Sequence, residues 1–322
     1  MSAKLGPRLD ITLVGDWGNA NFHMIVGWLA AHLRWRSAPR SKFTLRTGTG
    51  YRDNIDLVGL GEADLAITTP RHIGTSWPRA GLHFYSGRAY PYLMTLGFLP
   101  QDDRLTLAVR ADTGITSFAD IRERRYPLKL ATPFRDENNL TSYAIDLVLK
   151  YHGIDPEDLK RWGGGFIEHD HPRLSIPRAI SGEANAVFNE AIMVPQWYEL
   201  VDKVPMRFIP MEEDVLARLR ADYGLVPAVL PKGRLKADRD IACLDWSHWT
   251  TVVRDDMPEE LAYLITSIMV EERGEMERRF NHLPVERSPM TYPIDPYTMW
   301  QGIGAPLHPG AARYYREHGY MK

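Results

Sequence analysis

The stretch ITLVGDWGNANFHMIVGWLAAHL, residues 11–33, decides the fold class of this chain. It opens with a short apolar run, which predicts a buried strand over Ile11–Gly15. After a polar loop, the apolar residues recur at the spacing of one helical face. These residues are Phe22, Ile25, Val26, Leu29, Ala30 and Leu33. The pattern therefore predicts a strand, a loop and an amphipathic helix, in that order.

A second stretch, LKLATPFRDENNLTSYAIDLVLKY at residues 128–151, repeats this pattern. Leu128–Ala131 predicts another strand, and a second apolar helical face follows it. That face is formed by Leu140, Tyr143, Ala144, Leu147, Val148 and Tyr151. Strands that alternate with such helices favour mostly parallel sheets, whose ligands bind beyond the carboxyl ends of the strands. We therefore expect an α/β protein of two similar lobes, each a mostly parallel sheet flanked by helices.

Composition narrows the possible functions. The 322 residues, 44% of them hydrophobic and 25% charged, suffice for two cores, since single cores stop growing near about 250 to 300 residues. A net charge of -2 gives no global electric field that would recruit nucleic acid or an anionic membrane. The single cysteine, Cys243, permits neither an internal disulfide nor a cysteine-based metal cluster. We expect no cofactor and no nucleic-acid partner.

The two loops between these strands and helices are the first candidates for a ligand site. Residues 16–21 precede one helix and residues 133–139 the other, so both present backbone N–H groups at the positive end of a helix dipole. Arg135 adds a planar fork for a carboxylate. The candidates here are Trp17, Asn19, Asn21, Phe22, Arg135, Asn138, Asn139, Thr141 and Ser142. The alternative for Asn21 and Asn139 is that they cap their helices.

Further candidates follow other predicted strands. The TGTG run at residues 47–50 lacks the Lys-Ser/Thr of a P-loop, so we do not expect nucleotide binding. Its glycines instead let the backbone approach a small ligand closely. The candidates in this group are Thr47, Thr49, Tyr51, Asn54, Thr68, Thr69, Arg71, Asn189 and Glu190. Turn chemistry is the alternative for several of them, and an ion pair for Glu190. Trp197 and Tyr198 are candidate apolar walls.

The run Glu168-His169-Asp170-His171 is a weak candidate metal site. In an extended segment His169 and His171 point to the same side and offer two nitrogen ligands. Pro172 follows directly and the sequence identifies no third ligand, so a polar surface loop is the alternative. The chain also contains no nucleophile elbow of the form G-x-S-x-G.

Four stretches together resemble one family of solute receptors, the TAXI-type binding proteins of TRAP transporters. They are PLHPGAARYYREHG at 306–319, TGTGYRDNIDLVGLGEADLAITTP at 47–70, LTLAVRADTGITSFADIRERRYPLKLAT at 105–132 and ISGEANAVFNEAIMVP at 180–195. The resemblance implies a two-lobed periplasmic-binding-protein fold of type II. It also implies capture of a small, anionic organic solute, carboxylate or amino-acid-like, and delivery to a membrane permease.

On this basis we expect lobe one to comprise residues 1–108 and 211–322, lobe two residues 109–210, and the ligand to lie in a cleft between them. Strands near Ala108–Arg110 and Phe208–Pro210 would cross between the lobes and act as the hinge when ligand closes them. By itself, the 306–319 tail reads as a packing and capping device at the chain end.

Two features depart from that family. The second loop reads FRDENNLTS at 134–142, where the family has glycine-serine-glycine-threonine, so ligand identity does not carry across. The start MSAKLGPRLD runs straight into the first strand without the features of an export signal. The protein would be periplasmic if a signal was removed and cytoplasmic otherwise. The alternatives to a receptor are therefore a cytoplasmic decarboxylase or lyase on the same fold, or a ligand sensor.

Overall fold

The computed structural model describes residues 8–191 and 194–322. Residues 1–7 of the start MSAKLGPRLD, and Ile192 and Met193 of the family-like segment 180–195, lie outside the described residues. Contacts along the chain separate two compact units. Unit one comprises Met1–Gln101, His248–His282 and Met290–Lys322, and unit two comprises Asp102–Ser247 and Leu283–Pro289.

Unit one contains a six-stranded mixed sheet of order β2-β1-β3-β13-β4, with β5 paired to β13. Its strands are β1 (Asp10–Asp16), β2 (Lys42–Gly48), β3 (Leu65–Thr68), β4 (Leu93–Met94), β5 (Phe98–Leu99) and β13 (Trp249–Arg254). The first three run parallel, with Leu13 opposite both Leu45 and Leu65, and β13 is antiparallel to β3. The predicted first strand is thus confirmed as the middle strand of this parallel set.

The helices of unit one cover this sheet. They are α1 (Asn21–Arg36), α2 (Arg52–Gly59), α3 (Ile73–Ala80), α10 (Glu259–Glu271), α11 (Arg273–Arg278) and α12 (Pro309–Glu317). Every residue of the predicted apolar face of α1 is buried, from Phe22 to Leu33. Burial of that face, at about 25 cal/mol per Å² of apolar surface, holds the helix on the sheet.

The chain end packs and caps as its sequence predicts. The His308 ring accepts a hydrogen bond from the Gly310 N–H at 3.2 Å, which caps α12, and Pro309 is the first helical residue. A Cβ at Gly310 would lie 2.2 Å from the Glu259 carbonyl oxygen, so only glycine lets α12 approach α10 this closely. The Tyr315 hydroxyl, which is buried, donates to the Leu96 carbonyl at 3.2 Å.

Unit two contains a seven-stranded mixed sheet of order β11-β12-β6-β9-β7-β8, with β10 paired to β6. Its strands are β6 (Arg104–Arg110), β7 (Lys129–Pro133), β8 (Gly165–His169), β9 (Ala186–Glu190), β10 (Met206–Ile209), β11 (Pro227–Leu230) and β12 (Ile241–Asp245). Strands β7, β8 and β9 are parallel, and the other pairs are antiparallel. The sheets of both units are therefore mixed, each built around three parallel strands.

The helices of unit two are α4 (Phe118–Glu123), α5 (Leu140–Tyr151), α6 (Pro156–Arg161), α7 (Pro172–Ser175), α8 (Pro195–Lys203) and α9 (Glu213–Tyr223). Helix α5 spans the predicted second amphipathic helix, and its Leu140, Ala144, Leu147 and Val148 are buried. A core cluster that includes Val187, Trp197, Phe208 and Cys243 fills one face of the sheet. No helix in the described part of the chain is long and apolar enough to cross a membrane.

The unit boundaries differ from the predicted lobe boundaries at 108 and 210. Strand β12 pairs with β6 and β11 pairs with β12, so both belong to the sheet of unit two, although the sequence placed residues after 210 in lobe one. The predicted crossing strands pair with each other inside that sheet, where Phe208 lies opposite Ala108. Local hydrophobic patterns identify such strands but carry no information about which distant strand they pair with.

Candidate functional site

In unit one, the predicted site residues gather where the parallel strands end. Strands β1, β2 and β3 end at Asp16, Gly48 and Thr68, and each is followed by a loop and a helix. Because carboxyl ends of parallel strands meet at one edge of a sheet, these three loops are neighbours. We call this the carboxyl edge of unit one. It carries Trp17, Asn19, Asn21, Phe22, Thr47, Thr49, Tyr51, Asn54, Thr68, Thr69 and Arg71.

The first helix start on this edge is already satisfied by an acidic side chain. The Asp16 carboxylate is buried and accepts a hydrogen bond from the His23 N–H at 2.8 Å. Asn21 is the first helical residue, not a cap, and the preceding Ala20 makes no side-chain cap. The Asp16 charge offsets the positive end of the helix dipole. The expectation that this helix start would attract an anion is therefore weakened.

The turn between β2 and α2 is held by its own polar residues. Buried Asn54 donates from Nδ2 to the Gly15 carbonyl at 3.1 Å, and Asp53 accepts from the Thr49 N–H at 2.9 Å and the Thr49 hydroxyl at 2.7 Å. A Cβ at Gly48 would lie 2.0 Å from Asn54 Oδ1. Thr49 and Asn54 thus fix the loop, which is the turn-chemistry alternative.

Aromatic side chains form part of the same edge. Trp17 and Tyr51 meet edge to face, with ring centroids 6.5 Å apart. The backbone N–H of Trp17 donates to the Gly48 carbonyl at 2.8 Å. Gly50 has φ of +86°, and a Cβ there would approach the Phe22 ring to 3.0 Å. Phe22 therefore packs beneath the turn, whereas Trp17 is partly exposed and Asn19 is exposed.

Two arginines bring positive charge to this edge. The Arg71 guanidinium carbon lies 5.7 Å from the centroid of Phe98, which itself stacks on His248 at 4.0 Å. Arg52, at the start of α2, is buried with its guanidinium 5.1 Å from the Phe84 ring centroid. Sequence reasoning identified Arg71 and missed Arg52. A basic residue in the first turn of a helix opposes the helix dipole, and that signal could have found it.

Beside Arg71 lie Thr68 and Thr69, both buried. The Gln101 side-chain amide reaches the Thr69 hydroxyl at 3.5 Å. Thr69 and Arg71 thus follow β3 directly and place a hydroxyl and a guanidinium on one loop.

In unit two, parallel and antiparallel strands bring polar residues to one edge. Strands β7, β8 and β9 end at Pro133, His169 and Glu190. Because β6 is antiparallel to β9 and β12 to β6, Arg104 and Asp245 pair opposite each other at the same edge. We call this the carboxyl edge of unit two.

Glu190 is the centre of this second edge. Its carboxylate accepts a hydrogen bond from the Thr141 hydroxyl at 2.6 Å, and its carbonyl accepts from the Trp197 indole at 2.7 Å. Its N–H donates to Asn189 Oδ1 at 2.8 Å, and Asn189 Nδ2 donates to the Ser175 hydroxyl at 3.1 Å. The structure thus brings together the predicted Thr141, Asn189 and Glu190.

Asp103, which sequence reasoning missed, is a second buried carboxyl on this edge. It is 1% exposed, Oδ1 accepts from the Arg104 N–H at 2.6 Å, and Oδ2 has no hydrogen-bond partner among the described residues. Burial, and secondly the Glu190 charge, hold the pKa of the Asp103 carboxyl well above its ordinary value. The protonated form of Asp103 is therefore favoured by its surroundings, and a protonated carboxyl can donate a hydrogen bond.

The neighbouring acids Asp102 and Asp245 differ from Asp103 because arginines pair with them. Arg104 lies 2.5 Å from Asp102 and 3.7 Å from Asp245, and Arg234 lies 2.5 Å from Asp102. Asp102 and Asp103 are adjacent in sequence, and no local pattern distinguishes them. Only the fold separates the partly exposed, paired Asp102 from the buried Asp103.

Two predictions about the second loop are changed by the structure. Asn139 caps α5 by accepting from the Ser142 N–H at 3.1 Å, which is the capping alternative. The Arg135 fork is bidentate to Asp146, with distances of 3.1 Å and 2.7 Å, and its guanidinium carbon lies 3.9 Å from the Phe166 ring centroid. The carboxylate predicted for a ligand is thus supplied by Asp146 on α5. Asn138 stays at the loop, its N–H bonded to Asp136 at 2.8 Å.

The two predicted aromatic walls are also engaged within unit two. Trp197 is fully buried in the core cluster, so its faces contact protein and its indole supports the Glu190 carbonyl. The Tyr198 hydroxyl donates to the Glu286 carbonyl at 2.8 Å, and the Arg287 guanidinium lies 5.0 Å from its ring centroid. Trp197 is therefore a supporting residue and not a wall.

The two histidines of the weak metal candidate serve separate structural roles. His169 Nε2 lies 2.9 Å from the Arg178 guanidinium, and His171 accepts from the Arg173 N–H at 3.0 Å and caps α7. Burial and nearby Arg173 lower the pKa of His171. Residues 8–191 and 194–322 contain no group of three histidine, cysteine or acidic side chains placed to hold a metal.

Comparison with solved structures confirms the fold. A protein from Bordetella bronchiseptica RB50 matches with a TM-score of 0.51 and 11% identity, covering 97% of this chain and 98% of that one. A structure described as a periplasmic transporter matches with 0.50 and 10%, covering 88% and 90%. The alkanesulfonate-binding protein of Xanthomonas axonopodis pv. citri, bound to MOPS, gives 0.46 and 11%, covering 98% and 96%.

The two likenesses with TM-scores of 0.50 and 0.51 show the two-lobed periplasmic-binding-protein fold of type II. A family model matches residues 26–319, which is most of the chain. The chain belongs to the NMT1-like family.

Proposed function

We propose that this protein is a solute-binding protein that captures a small polar organic molecule for a membrane transporter. The observation that carries the proposal is the concentration of polar side chains at the carboxyl edge of each unit, where ligands of open α/β sheets bind. Family membership and fold agree with this proposal. The residues we expect to contact solute are Trp17, Asn19 and Arg71 in unit one, and Asn138, Thr141 and Glu190 in unit two.

The solute we infer is amino-acid-like, with a carboxylate and a hydrogen-bond-donating group. Arg71, backed by Phe98, is suited to a carboxylate because guanidinium and carboxylate pair as a planar fork. Glu190, with the Thr141 hydroxyl bonded to it, is suited to an ammonium or hydroxyl group. Asp16 at the start of α1 disfavours a purely anionic solute on that helix.

The type of transporter is a further part of the proposal and rests on the sequence alone. The four stretches that resemble TAXI-type receptors support a TRAP-type permease. This assignment implies a periplasmic protein, and cleavage of an export signal in the native organism would test it.

One observation favours a second candidate, a decarboxylase or lyase on the same fold. Asp103 and Glu190 are two carboxyls in different environments, and such pairs supply acid and base in enzymes. Prolonged incubation of any bound solute separates the two functions, because a receptor leaves it intact whereas an enzyme consumes it.

The proposal is tested by calorimetry against a panel of amino acids, carboxylic acids and sulfonates. We expect saturable binding of at least one amino acid, and weaker binding of that amino acid by the variants Arg71→Ala and Thr141→Ala. The matched controls are Arg313→Ala and Thr116→Ala. Arg313 lies on α12, with its guanidinium carbon 4.7 Å from the Tyr263 ring centroid, and the Thr116 hydroxyl donates to Asp120 at 2.7 Å. Equal losses in the controls would refute the proposed contacts.

A further inference from the structure

Trp35, in the last turn of α1, is the most exposed of the large hydrophobic side chains that the structure describes, at 72%. Its ring stands edge-on to His32, with centroids 5.1 Å apart. His32 is itself buried and lies 2.7 Å from the Glu275 carboxylate. The indole is therefore supported from beneath and presents most of its surface to solvent.

One exposed arginine lines the same depression as this indole, and further exposed basic residues lie in the turn after α1 and at the amino ends of β1 and β2. Arg34 lies beside it and, together with Trp35, Ser37 and Pro39, lines a shallow surface depression. Arg40 follows in the turn after α1, and Lys42 is the first residue of β2. The backbone N–H of Lys42 donates to the Leu9 carbonyl at 2.8 Å, which brings the neighbouring Arg8 to the same end of the sheet. We call Arg8, Arg34, Trp35, Arg40 and Lys42 the Trp35 patch.

The positive charge of this patch is uncompensated. Within residues 8–191 and 194–322, the side chains of its four basic residues make no hydrogen bond or ion pair. Arg36 on the same turn contrasts with them, since it pairs with Glu271 and Glu272. The sequence segments 8–10 and 34–42 contain a single acidic residue, Asp10, which lies opposite Lys42 in the sheet. The whole chain has a net charge of -2, so attraction to an anion here would come from the patch.

A second exposed hydrophobic residue of unit one shows that this combination is specific. Leu60 is 66% exposed, but its surface depression is lined by Asp255, Asp256 and Arg254, and that arginine pairs with Asp256 at 3.0 Å. The exposed apolar surface at Leu60 therefore lies beside acids and a paired arginine, whereas Trp35 lies beside an arginine without such a partner among the described residues.

The location of the patch leaves the candidate site accessible. Lys42 and Arg8 lie at the amino ends of β2 and β1, whereas the candidate solute contacts lie at the carboxyl ends of the same strands. Unit one can thus engage a surface through one end of its sheet while the other end holds solute.

We propose that the Trp35 patch docks the protein on an anionic membrane surface. Tryptophan prefers the boundary between headgroups and acyl chains, and basic residues close to anionic lipids strengthen adsorption about fivefold each. A patch of this kind gives reversible, salt-sensitive adsorption, because screening shortens the reach of its charges to about 10 Å at 0.1 M salt.

The test is flotation of the full chain with vesicles of phosphatidylcholine containing phosphatidylglycerol, against pure phosphatidylcholine vesicles. We expect enrichment on the anionic vesicles that falls with added salt. The double variant Arg34→Glu, Arg40→Glu should abolish it, and Trp35→Ala should reduce it several-fold. Leu60→Ala is the matched control and should bind as wild type. Unchanged thermal unfolding of each variant verifies its fold.

Three results would overturn the proposal. The first is equal recovery with anionic and neutral vesicles at low salt. The second is undiminished anionic binding by the double arginine variant. The third is concentration-dependent self-association, measured by light scattering, that Trp35→Ala removes, since the patch would then be a contact between copies of this chain.

Discussion

The carboxyl edges of the two units are built from the same strand-loop-helix unit but bury different charged groups. In unit one, aromatic rings hold Arg52 and Arg71, and the acids Asp16 and Asp53 are bonded to nearby backbone N–H groups. In unit two, Glu190 and Asp103 are buried, and the pKa of Asp103 is raised. The difference teaches that a repeated fold does not imply repeated ligand contacts. The arginines of the first edge suit a carboxylate group, and the Glu190 carboxyl of the second suits a hydrogen-bond donor.

The two first-choice loops differ in the same way. At the start of α1, an aspartate accepts from the backbone, and at the start of α5 a neutral asparagine does so. At each helix start a side chain from the chain itself bonds one first-turn N–H group, so we expect side chains more than helix dipoles to set the solute preference of each edge.

The largest effect we expect is on the stability of unit two. Trp197→Ala removes a fully buried indole and its bond to the Glu190 carbonyl, and should lower the free energy of unfolding by about 3 to 5 kcal/mol. Trp35→Ala, at an exposed indole, should change it by less than about 0.5 kcal/mol. Denaturant unfolding measures both, and equal losses would contradict the described burial.

The next effect sharpens the charge difference between the edges. Arg71→Ala should weaken binding of a carboxylate-bearing solute by about 1.5 to 3 kcal/mol, while an analogue without the carboxylate should lose much less. Glu190→Gln should show the converse preference for analogues without the amino group. Calorimetry with the two analogue series measures this, and identical losses across both would remove the assignment of charge to each edge.

A smaller effect distinguishes structure from binding at Arg135. Because its fork pairs with Asp146, Arg135→Ala should reduce the free energy of unfolding by about 1 kcal/mol and leave solute affinity unchanged. Asp146→Asn should behave alike. If affinity fell while stability did not, Arg135 would return to the list of ligand contacts.

The smallest effect is a change in the pH dependence of stability. The folded-state pKa of Asp103 is raised, so its contribution is fully present below the unfolded pKa and is lost as pH rises through the folded pKa. Asp103→Asn should therefore leave stability unchanged below the unfolded pKa of the aspartate and increase it at pH values above the folded pKa. Asp112, whose pKa is lowered by Arg110, is the control of opposite sign, because its contribution is lost as pH falls. Thermal unfolding across pH measures both, and a parallel shift for the two variants would contradict this assignment.

Sequence patterns predicted those features that depend on neighbouring residues. Strand β1, the buried face of α1 and helix α5 follow from local periodicity. The capping role of the chain end was also predicted, although not the residue His308 that performs it. They did not predict partners supplied from elsewhere in the chain. Asp146 on α5 supplies the carboxylate that pairs with Arg135. Glu190 lies beside Asp103 because β6 and β9 pair. Polar residues that read as site groups can thus be occupied, and buried groups can read as turns.

The most direct test of the central claim is calorimetric titration of the wild-type chain with the best solute of the panel, followed by mass spectrometry of that solute after prolonged incubation. We predict saturable binding of one solute per chain, weakened by both Arg71→Ala and Glu190→Gln, and recovery of the solute intact. Binding that neither variant weakens, or recovery of a decarboxylated or cleaved product, would contradict the account.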